Sequence, residues 1–188
     1  MILFTKVFNR ALARFDDPDI RAKSVNDPVG YEKMLLPFLI NAIADFNSPS
    51  SIASRLHDYS EPSGKSEQFD GTGSSTYTLS TTPADGAVFS YSVDGVAVVG
   101  GSYDSAANSV TFPSAVASGS VCVASWYFAG AFTDDFSTSL RSDFDIAQIM
   151  DQVVNILAAL TVAEWDTQEM NRALDIRNIP TDTDFKIS

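Results

Sequence analysis

Apolar residues recur at helical spacing toward both ends of the chain and give way, in the middle, to short alternating runs punctuated by glycine. Over residues 2–15, Phe4, Val7, Phe8, Ala11, Leu12 and Phe15 fall on one helical stripe, and Asp16-Asp17-Pro18 ends it, because the residue before a proline is pushed away from helical geometry. Asn26-Asp27-Pro28 offers capping side chains followed by proline at a first helical position. From there Met34, Leu35, Phe38, Leu39, Ala42, Ile43 and Phe46 keep the helical step, with Pro37 expected to kink the helix it interrupts. Asn47-Ser48-Pro49 stops that helix, residues 52–59 add a short further turn, and Glu61-Pro62-Ser63-Gly64 reads as a linker.

From about residue 66 to 132 the period changes. Residues 76–80, 88–93, 96–99, 110–112 and 121–128 are short runs rich in β-branched and aromatic residues. Asp94-Gly95, between two such runs, is a two-residue hairpin signal. Pro83-Ala84-Asp85-Gly86 and Asn108 mark further turns, and Gly100-Gly101 and Gly71-Thr72-Gly73 read the same way. This spacing predicts a small antiparallel sandwich or barrel-like module.

The helical stripe then returns, with Ser142 as its cap, in Ile146, Ile149, Met150, Val153, Ile156, Leu157, Leu160 and Ala163. Val154, Ala158, Ala159 and Val162 widen it, so this helix is expected to be buried on more than one side. It is expected to end at Trp165, with Asp166-Thr167 capping a short further helix that holds Met170, Ala173 and Leu174, closed by Ile179-Pro180. The expected fold is α+β: a helical bundle built from residues 1–62 and 134–188, interrupted by an all-β insertion over 66–132. The candidate scaffold core is Phe8, Leu39, Ile43, Phe46, Val153, Leu157, Leu160 and Trp165.

Charge narrows the function classes. Among 188 residues, 24 acidic against 12 basic side chains give a net charge of -12, which disfavours phosphate-neutralising nucleic-acid binding. A single cysteine, Cys122, allows no internal disulfide and sits in an apolar strand as a small hydrophobe. The opening residues hold Lys6 and no small-residue cleavage site, and the longest near-apolar stretch, 156–163, is short of the roughly 20 residues of a membrane span. A soluble protein made inside the cell, with no membrane partner, is expected.

Candidate chemistry is sparse. His57 is the only histidine and lies in a segment resembling a loop edge; Cys122 has no basic or histidine neighbour in sequence to activate a thiolate. The acidic groups Asp16, Asp17 and Asp19, Asp134 and Asp135, Asp143 and Asp145, and Asp182 and Asp184 lack the calcium-loop signature and read as turns and caps. No catalytic residue, cofactor or metal ligand is assigned, and the chain does not read as an enzyme.

Phe8 and Phe15 ahead of Asp16-Asp17-Pro18-Asp19-Ile20, the run Leu36-Pro37-Phe38-Leu39-Ile40-Asn41-Ala42-Ile43-Ala44-Asp45-Phe46, and above all the run Val154-Asn155-Ile156-Leu157-Ala158-Ala159-Leu160-Thr161-Val162-Ala163-Glu164-Trp165 resemble the head-to-tail connector, or adaptor, proteins of tailed bacteriophages. The ending Asp184-Phe185-Lys186-Ile187-Ser188 is similar to that family's extended C-terminal segment. The resemblance implies a structural virion protein: a homo-oligomeric ring of about twelve copies, a dodecamer, in the neck between capsid and tail. It would be assembled in the host cytoplasm and would carry the DNA channel onward from the portal protein to a tail-side stopper or tail protein. Genomic DNA would pass without specific binding. The residues 184–188 would form an interface with the portal or a neighbouring subunit. The β insertion is larger than the family pattern and implies an accessory role. A second reading, from another class, is a carbohydrate- or surface-binding module in which Trp126, Tyr91, Tyr103 and Tyr127 form the recognition face.

Overall fold

A computed structural model describes residues 2–47, 49–133 and 143–177. Among them the fold is mixed α+β, with five helices and three antiparallel sheets. The segment 2–15, expected as one helix, holds a strand and a shorter helix. A short strand β1 (Ile2–Leu3) precedes helix α1 (Phe4–Leu12), whose Phe4, Val7, Phe8 and Ala11 are buried. The helix starts with its stripe at Phe4 and not at residue 2, because Ile2 and Leu3 are held in extended form by pairing with Phe132 and Ala131.

Helix α2 (Pro18–Asn26) is absent from the sequence reading, which saw in Pro18 only the end of the preceding helix. Proline at the first helical position starts a helix equally well. The Asp17 carboxylate accepts from the backbone N–H groups of Asp19 at 2.8 Å and Ile20 at 3.4 Å. Only Ile20 is buried, so there was no apolar stripe to reveal the element. Asp17→Ala is expected to cost about 1 kcal/mol through loss of this cap, read as a lowered urea midpoint with an unchanged slope.

Helix α3 (Pro28–Asp45) begins where the sequence placed it, with Asp27 accepting from the Gly30 N–H at 2.9 Å, and runs on through Pro37. Helix α4 (Ser50–Leu56) buries Ala53 and Leu56. The last helix corrects the sequence reading. Instead of two helices meeting at Trp165, α5 (Asp143–Arg177) is one element of 35 residues, roughly 50 Å long. Nothing between Trp165 and Met170 breaks a helix, and the Thr167 hydroxyl, expected to cap a new one, donates to the Ala163 carbonyl one turn back at 2.8 Å.

The strands between are β2 (Tyr59–Ser60), β3 (Ser63–Asp70), β4 (Thr76–Thr78), β5 (Val88–Val93), β6 (Val96–Val98), β7 (Ser102–Asp104), β8 (Ser109–Thr111), β9 (Val121–Phe128) and β10 (Ala131–Phe132). Asp94 and Gly95 both take positive φ, 51° and 78°, and turn β5 into β6 as the dipeptide signalled. Sheet β3-β9-β5-β6 lies against sheet β4-β8-β7, with Leu79, Tyr91, Val110, Phe112, Cys122 and Trp126 buried in one cluster between them. The arrangement is therefore a sandwich and not a closed barrel.

Residues 63–64, expected as linker, are the start of β3, which pairs with β9 along its whole length from Ser63↔Phe128 to Asp70↔Val121. The chain thus leaves the helical frame and returns to it on adjacent strands, which lets a module be inserted without spreading its host. At the junction, β10 pairs with β1 and β2, so Ala131 and Phe132, expected inside the insertion, belong to the frame. Gly130 makes this return possible: its φ is +119°, and a Cβ there would lie 2.7 Å from the Ser60 carbonyl oxygen and 3.0 Å from the Phe4 ring.

The helical core brings together both parts of the frame. Phe8, Leu39, Ile43, Phe46, Val153 and Leu157 are buried in a single cluster, and Leu160 and Trp165 pack half-buried against it. The Phe15 and Trp165 rings meet edge to face at 5.2 Å, and α5 lies against both α1 and α3. The insertion is tied to this frame by Ser90, whose hydroxyl donates to Asp27 and accepts the Val29 N–H, each at 3.2 Å.

Candidate functional site

The residues that could have carried chemistry are scattered. His57 caps the end of α4 and is exposed. Cys122 lies on the inner face of β9, where burial pushes its thiol up, away from the reactive thiolate. Asp17 is a cap, while Asp16 and Asp19 are exposed on either side of it. Among the described residues no group of three or more His, Cys, Asp or Glu side chains is placed to hold a metal ion. Also among them, no helix is long and apolar enough to cross a membrane. Asp134, Asp135, Asp182 and the candidate interface tail Asp184, Phe185, Lys186, Ile187 and Ser188 lie outside the described residues, as do the side chains of Asp143 and Asp145.

The aromatic residues of the carbohydrate-binding alternative are spent on packing. Trp126 and Tyr91 fill the sandwich core, Tyr127 turns the other way into the helical core, and Tyr103 stacks on Phe89 at 4.7 Å. They do not form an exposed platform.

What the fold does present is an outer face on α5. Its inner side buries Val153, Val154, Leu157, Ala158 and Thr161. On the opposite side, Gln152, Ile156, Ala163, Asp166 and Met170 follow one another at helical steps and are exposed. Ile156 and Ala163 correct the sequence reading, which placed both in the buried stripe: both are exposed, Ile156 at 46%, and Met170 is 61% exposed. Because the stripe is wider than one interface, spacing alone did not say which of its residues face inward.

Charge divides the helical frame unevenly. Helix α1 has no acidic residue and carries Lys6 and Arg10, with Arg14 just past its end; the three recur every four residues and all are exposed. Arg10 reaches Asp151 of α5 at 2.8 Å, an exposed pair worth little by itself. Across 147–173 of α5 stand the acids Asp151, Glu164, Asp166 and Glu169 against one base, Arg172, which pairs with Glu169. Beside the basic row runs a groove between α1 and the first turns of α5, lined by Ile2, Lys6, Asn9, Met150 and Val154 together with the paired Arg10 and Asp151. The sequence reading passed over this row, although its four-residue step was visible.

A second group it passed over is Glu32, which lies on the buried phase of α3, 2% exposed, with Oε2 lacking any hydrogen-bond partner. Burial pushes its carboxyl up to about 7, against which a hydrogen bond with Thr5 acts weakly. Neighbouring Tyr31 is also pushed upward by burial and by the Glu32 charge, and its hydroxyl donates to the Phe8 carbonyl at 2.9 Å.

No protein-family model, curated protein or solved structure matches the chain.

Proposed function

We propose that this protein is a structural component of a tailed-phage virion neck, forming a homo-oligomeric ring on the portal side that continues the DNA channel toward the tail. The observation that carries the reading is the outer face of α5. A helix whose inner side joins the two halves of the frame also holds out Ile156, Ala163 and Met170, apolar residues spaced along one side with Asp166 among them and left exposed by the described residues. Rings are built from contacts in which one face of a subunit meets a different face of the next, and a frame with one basic helix and one acidic helix supplies two unlike faces.

The net charge of -12 fits passage of a polyanion. Where acidic side chains line the channel, they repel the DNA backbone and keep transit free of tight contacts. The sandwich, joined to the frame through adjacent strands, serves as an accessory projection of the ring.

Negative-stain imaging of the purified protein, alone and mixed with portal complexes from tailed phages, tests the reading. Closed rings of uniform size in either preparation are expected. Particles that remain monomeric in both, or that bind glycans as monomers, would contradict it.

A further inference from the structure

We propose that the groove between α1 and the first turns of α5 receives the distal half of α5 from the next copy of the chain, so that subunits join head to tail. This rests on the ring reading above and names its contact.

The groove and the segment proposed to fill it match in character. The groove has an apolar floor of Ile2, Met150 and Val154 and a rim carrying Lys6, Arg10 and Asp151, of which Arg10 and Asp151 pair with each other at 2.8 Å and leave Lys6 as the unpaired charge. Lys6 has no ion-pair partner among the described residues. The distal half of α5 presents Ala163 and Met170, exposed, with Asp166 between them, while Glu169 alongside is paired with Arg172 of the same helix. An apolar knob carrying the carboxylate of Asp166 suits an apolar floor edged by the unpaired ammonium of Lys6.

The occupant must come from another copy. Met150 and Met170 lie on one continuous helix, about 30 Å apart at 1.5 Å per residue. A chain therefore cannot place its own distal segment in its own groove. Two copies meeting through the distal half of α5 on itself would set Glu164 and Asp166 of one against those of the other, a like-charge contact. The unlike pairing is heterologous, and heterologous contacts close into rings or run on as filaments.

The distal segment also calls for a partner. Beyond Trp165, residues 166–168 and 170–173 are exposed, and a helical stretch of that length is marginal in water without packing.

Two variants on exposed positions separate the faces. Lys6→Glu with Asn9→Glu breaks the groove, and Asp166→Lys with Met170→Lys breaks the distal segment. Each is measured by native mass spectrometry under the condition, alone or with portal, in which the wild type assembles, with thermal melting as the folding control. The expected result is loss of every species above the monomer for each variant alone. A one-to-one mixture should regain species containing both variants, a mixed dimer at the least, since it has one intact groove and one intact distal segment to join.

Variants that assemble as the wild type does would overturn this contact and leave the ring reading standing. So would a mixture that yields no dimer, or a groove variant that melts early yet still assembles, which would make the groove a seat for the chain's own residues. A wild type that assembles neither alone nor with portal would overturn both.

Discussion

Leu157→Ala is expected to lower stability by about 4 kcal/mol, because a fully buried leucine in a well-packed core loses both its transfer free energy and the contacts around the cavity left behind. The position lies where the two halves of the frame meet. Leu157 belongs to the cluster that holds Phe8 from α1, Leu39 and Ile43 from α3 and Val153 from its own helix. Alanine keeps the helix, since it is the best helix former, so the loss reports packing and not propensity. Urea denaturation followed by circular dichroism should show a lower midpoint with the slope unchanged. The exposed neighbour Ile156, changed to alanine in the monomer, should move stability by less than about 0.5 kcal/mol. A Leu157→Ala cost equally small would mean that the terminal segments do not share a core.

Stability should also fall as pH rises from about 5 to 8. Glu32 is the cause, since its carboxyl has a folded-state pKa of about 7 against an ordinary 4.5. A group whose folded pKa is raised contributes stability that is fully present below the unfolded value, here below 4.5, and lost as pH climbs through 7. The interval corresponds to about 3 kcal/mol. The groups that face it are Thr5 from α1, Tyr31 from its own helix and Tyr127 from β9, and both tyrosines are pushed upward and stay uncharged through the window. Carboxylates held low act at the acid end only. Asp27 is one: burial would raise it, but the Gly30 N–H, Lys23 and Ser90 together outweigh that. Glu32→Gln should therefore flatten the stability profile between pH 5 and 8 and raise it at the upper end. A profile that rises with pH across that window in the wild type would contradict this account of the buried carboxyl.

The helical frame was legible where a stripe faces one core. The rows Phe4 to Phe15 and Met34 to Phe46 gave α1 and α3, and Asp27-Pro28 gave the start of α3. Helix α2 was not, because a helix with one buried residue has no periodic signal. Strand β3 was hidden for a related reason: Gly64, Lys65, Ser66, Glu67 and Gln68 carry no alternation of large apolar residues, and it is pairing with β9 that extends them. The strands that do alternate, β5 and β9, were read with their exact limits. The candidate interface was least legible. Ile156 shares its phase with buried residues at the stripe's margin, and only the placement of α1 and α3 against α5 decides that it points outward. Glu32 was readable in principle, as one acid on the buried phase of an apolar helix.

Native mass spectrometry of the wild-type protein across a concentration series, with and without portal, bears most directly on the claim that the uncovered face of α5 is an assembly surface. One closed species of fixed copy number, appearing with no ladder of larger forms, is the predicted result. A monomer at every concentration in both conditions would contradict it.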